Sequence, residues 1–144
     1  MKRVLGCIII ISAILFRTLV LDVYVTSPDF IFYSMLGMWF LAPVAFLLSV
    51  IVFLILGFTN KIKITAQLLA FVYSVFGWAC AGLGIALFII FVFSVYTQGA
   101  QTPFAFIFFD GPLGAGVGTV VGFAMWLSTL DIANMITLNP EETR

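Results

Sequence analysis

Long apolar stretches separated by short polar segments run through almost the whole chain. No charged residue occurs between Phe30 and Asn60, and none occurs between Ile64 and Phe109. A helix needs about 20 apolar residues to cross a hydrocarbon core of about 30 Å, and in lipid its backbone must satisfy its own hydrogen bonds. The pattern therefore predicts an all-α membrane protein with four transmembrane helices, over residues 4–25, 30–58, 64–96 and 104–130, the last beginning at either 104 or 110.

The predicted helices form a single antiparallel bundle, followed by a short tail at residues 131–144. The first and third connections have no basic residue. Basic residues lie at the start of the chain, Lys2 and Arg3, and in the second connection, Lys61 and Lys63. Because basic residues stay on the cytoplasmic side of a membrane, both termini and the second connection are predicted to be cytoplasmic. The short loops favour a plasma membrane, and a bacterial inner membrane in particular.

Composition agrees with this assignment. Of 144 residues, 64% are hydrophobic and 8% are charged, against about 25% charged in a soluble domain. The formal net charge is zero, and without a basic cluster nucleic acid is excluded as a partner. The expected partners are the lipid bilayer and, within it, another membrane protein or a second copy of the chain.

No residue pattern indicates catalysis. The chain has no histidine and two cysteines, and it has neither paired carboxylates at catalytic spacing nor a metal-binding motif. The glycine-rich segment 111–118 lacks the lysine of a phosphate-binding loop and lies in an apolar setting. We therefore expect no enzyme activity, no cofactor and no metal.

Three charged residues form a candidate intramembrane charge site: Arg17, Asp22 and Asp110. Charged side chains inside a membrane are costly, and they mark a function or a packing constraint. Asp22 is expected at the outer interface, in contact with water. If the fourth helix begins near 104, Asp110 lies at a depth similar to that of Arg17 and forms an ion pair with it. If the helix begins at Asp110, the carboxylate caps the free amides of the first turn. A substrate or proton site is the third interpretation.

Small residues recur at helical spacing in the last two predicted helices. In the third helix they are spaced four, three, four and three residues apart: Ala70, Ser74, Gly77, Ala81 and Gly84. In the fourth helix they recur every four residues: Gly114, Gly118 and Gly122. Such stripes let helix backbones approach closely. The two stripes are expected to pack against each other in a hairpin, and the alternative is that one of them faces a second copy or another subunit.

The function indicated by these features is that of a small, non-catalytic membrane protein acting through helix–helix contacts. An accessory subunit, an envelope-maintenance factor and an immunity or exclusion factor all fit this description. The alternative is a small oligomeric transporter or channel that uses Arg17 and Asp110, and a lytic pore-former is a further possibility.

Overall fold

Four α-helices make up all the regular secondary structure in the described parts of the chain. The computed structural model describes residues 1–17, 28–97 and 103–130. The helices are α1 (Lys2–Phe16), α2 (Pro28–Phe58), α3 (Ile64–Thr97) and α4 (Pro103–Leu127). The all-helical prediction is confirmed for these ranges. The predicted continuation of the first helix to residue 25, the position of Asp22 and the tail at 131–144 lie outside the described residues.

The helix ends follow local sequence signals. Both α2 and α4 begin with a proline, which lacks the amide that the first turn of a helix leaves unpaired. At the end of α2, Asn60 has a φ of 54°, a left-handed conformation that asparagine tolerates better than most residues. The Lys61 amide donates to the Leu56 carbonyl at 2.9 Å and the Asn60 amide to the Gly57 carbonyl at 3.0 Å. This Schellman motif ends α2 and turns the chain into α3.

Helix α4 is the centre of the molecule, and α1, α2 and α3 each pack against it, while α2 and α3 barely touch each other. Glycines on different sides of α4 make this possible. A Cβ at Gly116 would lie 2.7 Å from Cγ of Leu41 in α2, and one at Gly114 would lie 2.8 Å from Cβ of Ala86 in α3. Because so little side-chain volume surrounds its axis, α4 accommodates three neighbours at short range.

The helices alternate in direction along the chain. Gly6 of α1 lies beside Val121 of α4, and Arg17 lies beside Asp110, so these two helices are antiparallel. The Lys2 ammonium donates to the Ser128 hydroxyl at 3.4 Å.

The chain start, the α2–α3 connection and the end of α4 meet at one end of the molecule, since Ile62 and Leu130 belong to the same buried cluster. We call this the basic end, because it carries Lys2, Arg3, Lys61 and Lys63.

Two clusters of buried side chains hold the helices together. At the basic end, the rings of Phe53 and Phe71 stack at 4.6 Å between centroids, and Phe71 meets Trp126 edge to face at 5.1 Å. Nearer the middle, Ile10 and Ile14 pack against α3 and α4. The first cluster is the place where α2, α3 and α4 come together.

Two helical segments in the described ranges are long and apolar enough to cross a membrane, Leu36–Phe58 and Ile64–Val92. Only 22% of either segment is buried inside the molecule. Their outward faces carry large apolar side chains, among them Leu47, Leu69 and Phe88. Exposed apolar surface on this scale is rare in soluble proteins and marks an interaction with membrane or protein.

Candidate functional site: a buried ion pair, a glycine seam and an apolar cleft

Arg17 and Asp110 form a buried ion pair between α1 and α4. A guanidinium Nη1 of Arg17 donates to Oδ1 of Asp110, and the two side chains are 6% and 2% exposed. Asp110 lies about two turns inside α4, because this helix begins at Pro103. The interpretation of Asp110 as the cap of the first turn is therefore wrong, and the ion pair is the arrangement that the structure has.

The register between α1 and α4 brings these charges together. Gly6 allows close approach at one point, since a Cβ there would lie 2.8 Å from Cγ1 of Val121 and 2.7 Å from Cη2 of Trp78. Arg17 follows Gly6 by eleven residues and Asp110 precedes Val121 by eleven. In an antiparallel pair these equal offsets bring the two side chains to the same height. At about 1.5 Å per residue, Arg17 lies roughly 22 Å along α1 from Lys2, toward the end opposite the basic end.

A seam of glycines joins α4 to α3. A Cβ at Gly118 would lie 2.9 Å from the carbonyl carbon of Trp78, and one at Gly122 would lie 2.9 Å from Cα of Val75. The Ser74 hydroxyl donates to the Gly122 carbonyl at 2.7 Å. Interhelical hydrogen bonds of this kind are typical of close helix pairs in membranes. The structure thus places Gly114, Gly118, Gly122 and Ser74 in one intramolecular seam.

The rest of the stripe predicted on α3 does not lie in this seam, which is a correction. Within the described part of the chain, nothing lies within 4 Å of a Cβ built at Gly77 or at Gly84. Ala70 and Ala81 are likewise exposed. The physical reason is the spacing: glycines every four residues on α4 require contacts every four residues on α3, not the alternating four and three of the predicted stripe. The positions that meet this requirement are Ser74, Trp78, Gly82 and Ala86.

Sequence reasoning missed Trp78 and Gly82. A tryptophan looks unsuited to a close seam, but only its backbone lies against Gly118, while its ring extends over Gly6 of α1. A Cβ at Gly82 would lie 2.8 Å from the carbonyl carbon of Gly114. The signal that identifies both is the four-residue spacing shared with α4.

An apolar cleft opens between α2 and α3, with α4 as its floor. It has a volume of about 510 Å³ and is lined by Trp39, Ala42, Pro43, Leu83, Leu87, Gly111, Pro112 and Ala115. The cleft exists because α2 and α3 are held together at the basic end by the aromatic cluster and make little contact elsewhere. Small residues from α2 and α4, Ala42, Gly111 and Ala115, lie between larger side chains on both walls. The cleft has the size and composition of an apolar binding site.

Potential metal ligands do not cluster in the described ranges. No group of three or more His, Cys, Asp or Glu residues there could hold a metal ion. Cys7 and Cys80 are both free thiols.

Comparison with known proteins found no matching family model, no similar curated protein and no similar solved structure.

Proposed function

We propose that the chain is a non-catalytic integral membrane protein with four spans that acts by binding a transmembrane helix of another membrane protein. Support for insertion comes from α2 and α3, whose outward faces expose large apolar side chains such as Leu47 and Phe88. Contact between these apolar faces and water is unfavourable, whereas contact with the hydrocarbon core of a membrane is favourable. The roles that fit are an accessory subunit, an envelope-maintenance factor and an immunity or exclusion factor.

The orientation we propose follows from the basic end. Lys2 and Arg3 lie on the same end of the molecule as the connection that carries Lys61 and Lys63. Since basic residues remain on the cytoplasmic side, we place this end in the cytoplasm of a plasma membrane, with a bacterial inner membrane as the leading candidate. Both termini are then cytoplasmic.

The observation that carries the helix-binding proposal is the apolar cleft between α2 and α3. Its small residues let a neighbouring backbone approach α4, while Leu83 and Leu87 provide dispersion contacts along its side. Close approach and dispersion are the forces that hold helices together in lipid. A helix with large apolar side chains on one face is the complementary partner.

This proposal is tested by filling the cleft. The tagged protein is purified in mild detergent from cells that express it at native level, and co-purifying proteins are identified by mass spectrometry. Ala115→Phe places a ring in the cleft, and Val120→Phe is the matched control on an exposed part of α4. We expect a stoichiometric partner with the unaltered chain and with Val120→Phe, and its loss with Ala115→Phe.

Two results would count against helix binding by the cleft. One is a partner that stays bound to a folded Ala115→Phe variant. The other is recovery of the protein alone, as a monomer, in every preparation. Recovery of a second copy of the chain, displaced by Ala115→Phe, would make the cleft a homo-oligomer interface.

The alternative function, a small oligomeric transporter or channel, is favoured only by the buried ion pair. In that case Arg17 and Asp110 must separate during transport to admit an ion, and Asp110→Asn must abolish flux. Ion uptake into liposomes that contain the purified protein measures this directly. Uptake no greater than in empty liposomes would exclude the alternative.

A further inference from the structure

A second groove lies at the basic end, between α1, α3 and α4. It has a volume of about 670 Å³. Lys2 and Arg3 line it at the basic end, which we call its mouth, and Gly77 and Ala81 line it farther along α3. The groove is separate from the cleft between α2 and α3, with which it shares no lining residue.

The small residues of α3 give this groove its depth. None of the described residues fills the space beside Gly77 within 4 Å, and Ala70, Gly77 and Ala81 all line the groove. From Ala70 to Ala81 the helix rises about 16 Å, which is half of a hydrocarbon core of about 30 Å. The groove therefore extends from one end of the molecule to about the depth of a single lipid leaflet.

The mouth of the groove is positively charged and carries hydroxyl groups. Lys2 and Arg3 are exposed, and among the described residues none that lines the groove is acidic. The Ser128 and Thr129 hydroxyls already donate to carbonyls of α4, at 2.8 Å and 2.6 Å. The Ser128 oxygen in turn accepts from the Lys2 ammonium at 3.4 Å. A ligand with an anionic head therefore meets two cations here.

We propose that this groove binds an anionic phospholipid, with the phosphate at Lys2 and Arg3 and an acyl chain along Gly77 and Ala81. The inference rests on the proposed insertion of the chain with its basic end in the cytoplasm. Basic pockets between transmembrane helices on the cytoplasmic side are typical sites for anionic lipid headgroups. The charged mouth and the apolar interior match the two halves of such a molecule.

Charge also argues for a lipid over a second copy of the chain. A two-fold symmetric dimer across this groove would place the same patch on both sides of the interface. With the two-fold axis along the membrane normal, Lys2 and Arg3 of both copies would lie at the same depth on this one interface. The repulsion between like charges disfavours that assembly, whereas an anionic headgroup neutralises the mouth.

The proposal is tested by native mass spectrometry of the full chain with phosphatidylglycerol and phosphatidylcholine added at equal concentration. We expect phosphatidylglycerol to be retained preferentially. Lys2→Gln combined with Arg3→Gln is expected to reduce that preference about 30-fold, at about fivefold for each basic residue near an anionic surface. Lys63→Gln, which removes a charge at the same end but outside the groove, is the control and is expected to have little effect.

A second variant tests the interior. Gly77→Leu fills open space in the groove and should reduce retention of both lipids, whereas Gly84→Leu, which fills open space outside it, should not. Equal retention of the two lipids, or an unchanged preference in the Lys2 and Arg3 double variant, would overturn the proposal. Displacement of a second copy by Gly77→Leu would also overturn it. Release of the chain from membranes by alkaline carbonate would overturn the proposed insertion itself. Equal binding of the two lipids by a chain that stays in the membrane would overturn only the lipid site.

Discussion

Replacing Gly118 with alanine is expected to disrupt the seam between α3 and α4. The added Cβ would lie 2.9 Å from the carbonyl carbon of Trp78 and 3.1 Å from Cα of Ala79, whereas carbon atoms rest at about 3.5 to 4.0 Å. Both neighbours are backbone atoms, so no side-chain rotation relieves the clash. Because the Trp78 carbonyl oxygen lies closer still to the added Cβ, the two helices must separate by about 1 Å, at which distance their contacts lose about half of their attraction.

The expected magnitude follows from two opposing terms. Overpacking a close-packed interior costs about 1–3 kcal/mol, and a clash between two backbones belongs at the upper end. Alanine regains about 1 kcal/mol of helix propensity over glycine. We therefore expect Gly118→Ala to lower the free energy of unfolding by about 2 kcal/mol. Gly84→Ala has the same propensity gain and no neighbour within 4 Å among residues 1–17, 28–97 and 103–130, so it should be neutral or stabilising by up to about 1 kcal/mol.

The assay is unfolding of the purified protein by sodium dodecyl sulfate in mixed micelles, followed by far-ultraviolet circular dichroism. The difference between the two variants, about 3 kcal/mol, corresponds to a change of roughly 100-fold in the unfolding equilibrium. Equal midpoints for Gly118→Ala and Gly84→Ala would refute the seam. So would a Gly84→Ala variant that is the less stable of the two at concentrations where the protein is monomeric.

Further variants at the ion pair, at Trp126 and at Ser74 test the interior of the molecule by the same unfolding measurement. Asp110→Asn leaves the Arg17 charge buried without its carboxylate and should cost about 3–5 kcal/mol, while Arg17→Met combined with Asp110→Leu should recover most of that loss. A double variant no more stable than Asp110→Asn would show that the pair does not act as a unit. Trp126→Ala should cost about 3–5 kcal/mol, but Trp126→Phe much less, because the buried indole Nε1 has no hydrogen-bond partner in the part of the chain that the structure describes; equal losses would contradict this. Ser74→Ala should cost about 0.6 to 1.7 kcal/mol through its lost bond to Gly122, and no change would mean that the bond adds nothing.

Helix content and the ends of α2 and α3 could be predicted from local pattern alone. The uncharged runs predicted helices over 30–58 and 64–96, and the structure has Pro28–Phe58 and Ile64–Thr97. These boundaries are local properties, since a proline begins a helix and Asn60 ends one through backbone bonds within a few residues. The glycines of α4 were also identifiable, because a four-residue repeat is visible in one segment without its neighbour.

Which surfaces meet was decided only by the tertiary structure. The stripe of small residues on α3 is visible in the sequence of that helix alone. The rotation of α3 about its own axis, however, is set by its packing against α4, so Ser74 lies in the seam while Gly77 and Gly84 do not. Likewise Asp110 had several interpretations until the start of α4 and the register of α1 were known. The physical reason is that periodicity defines a face on each helix, whereas the pairing of faces depends on the simultaneous packing of three helices around α4.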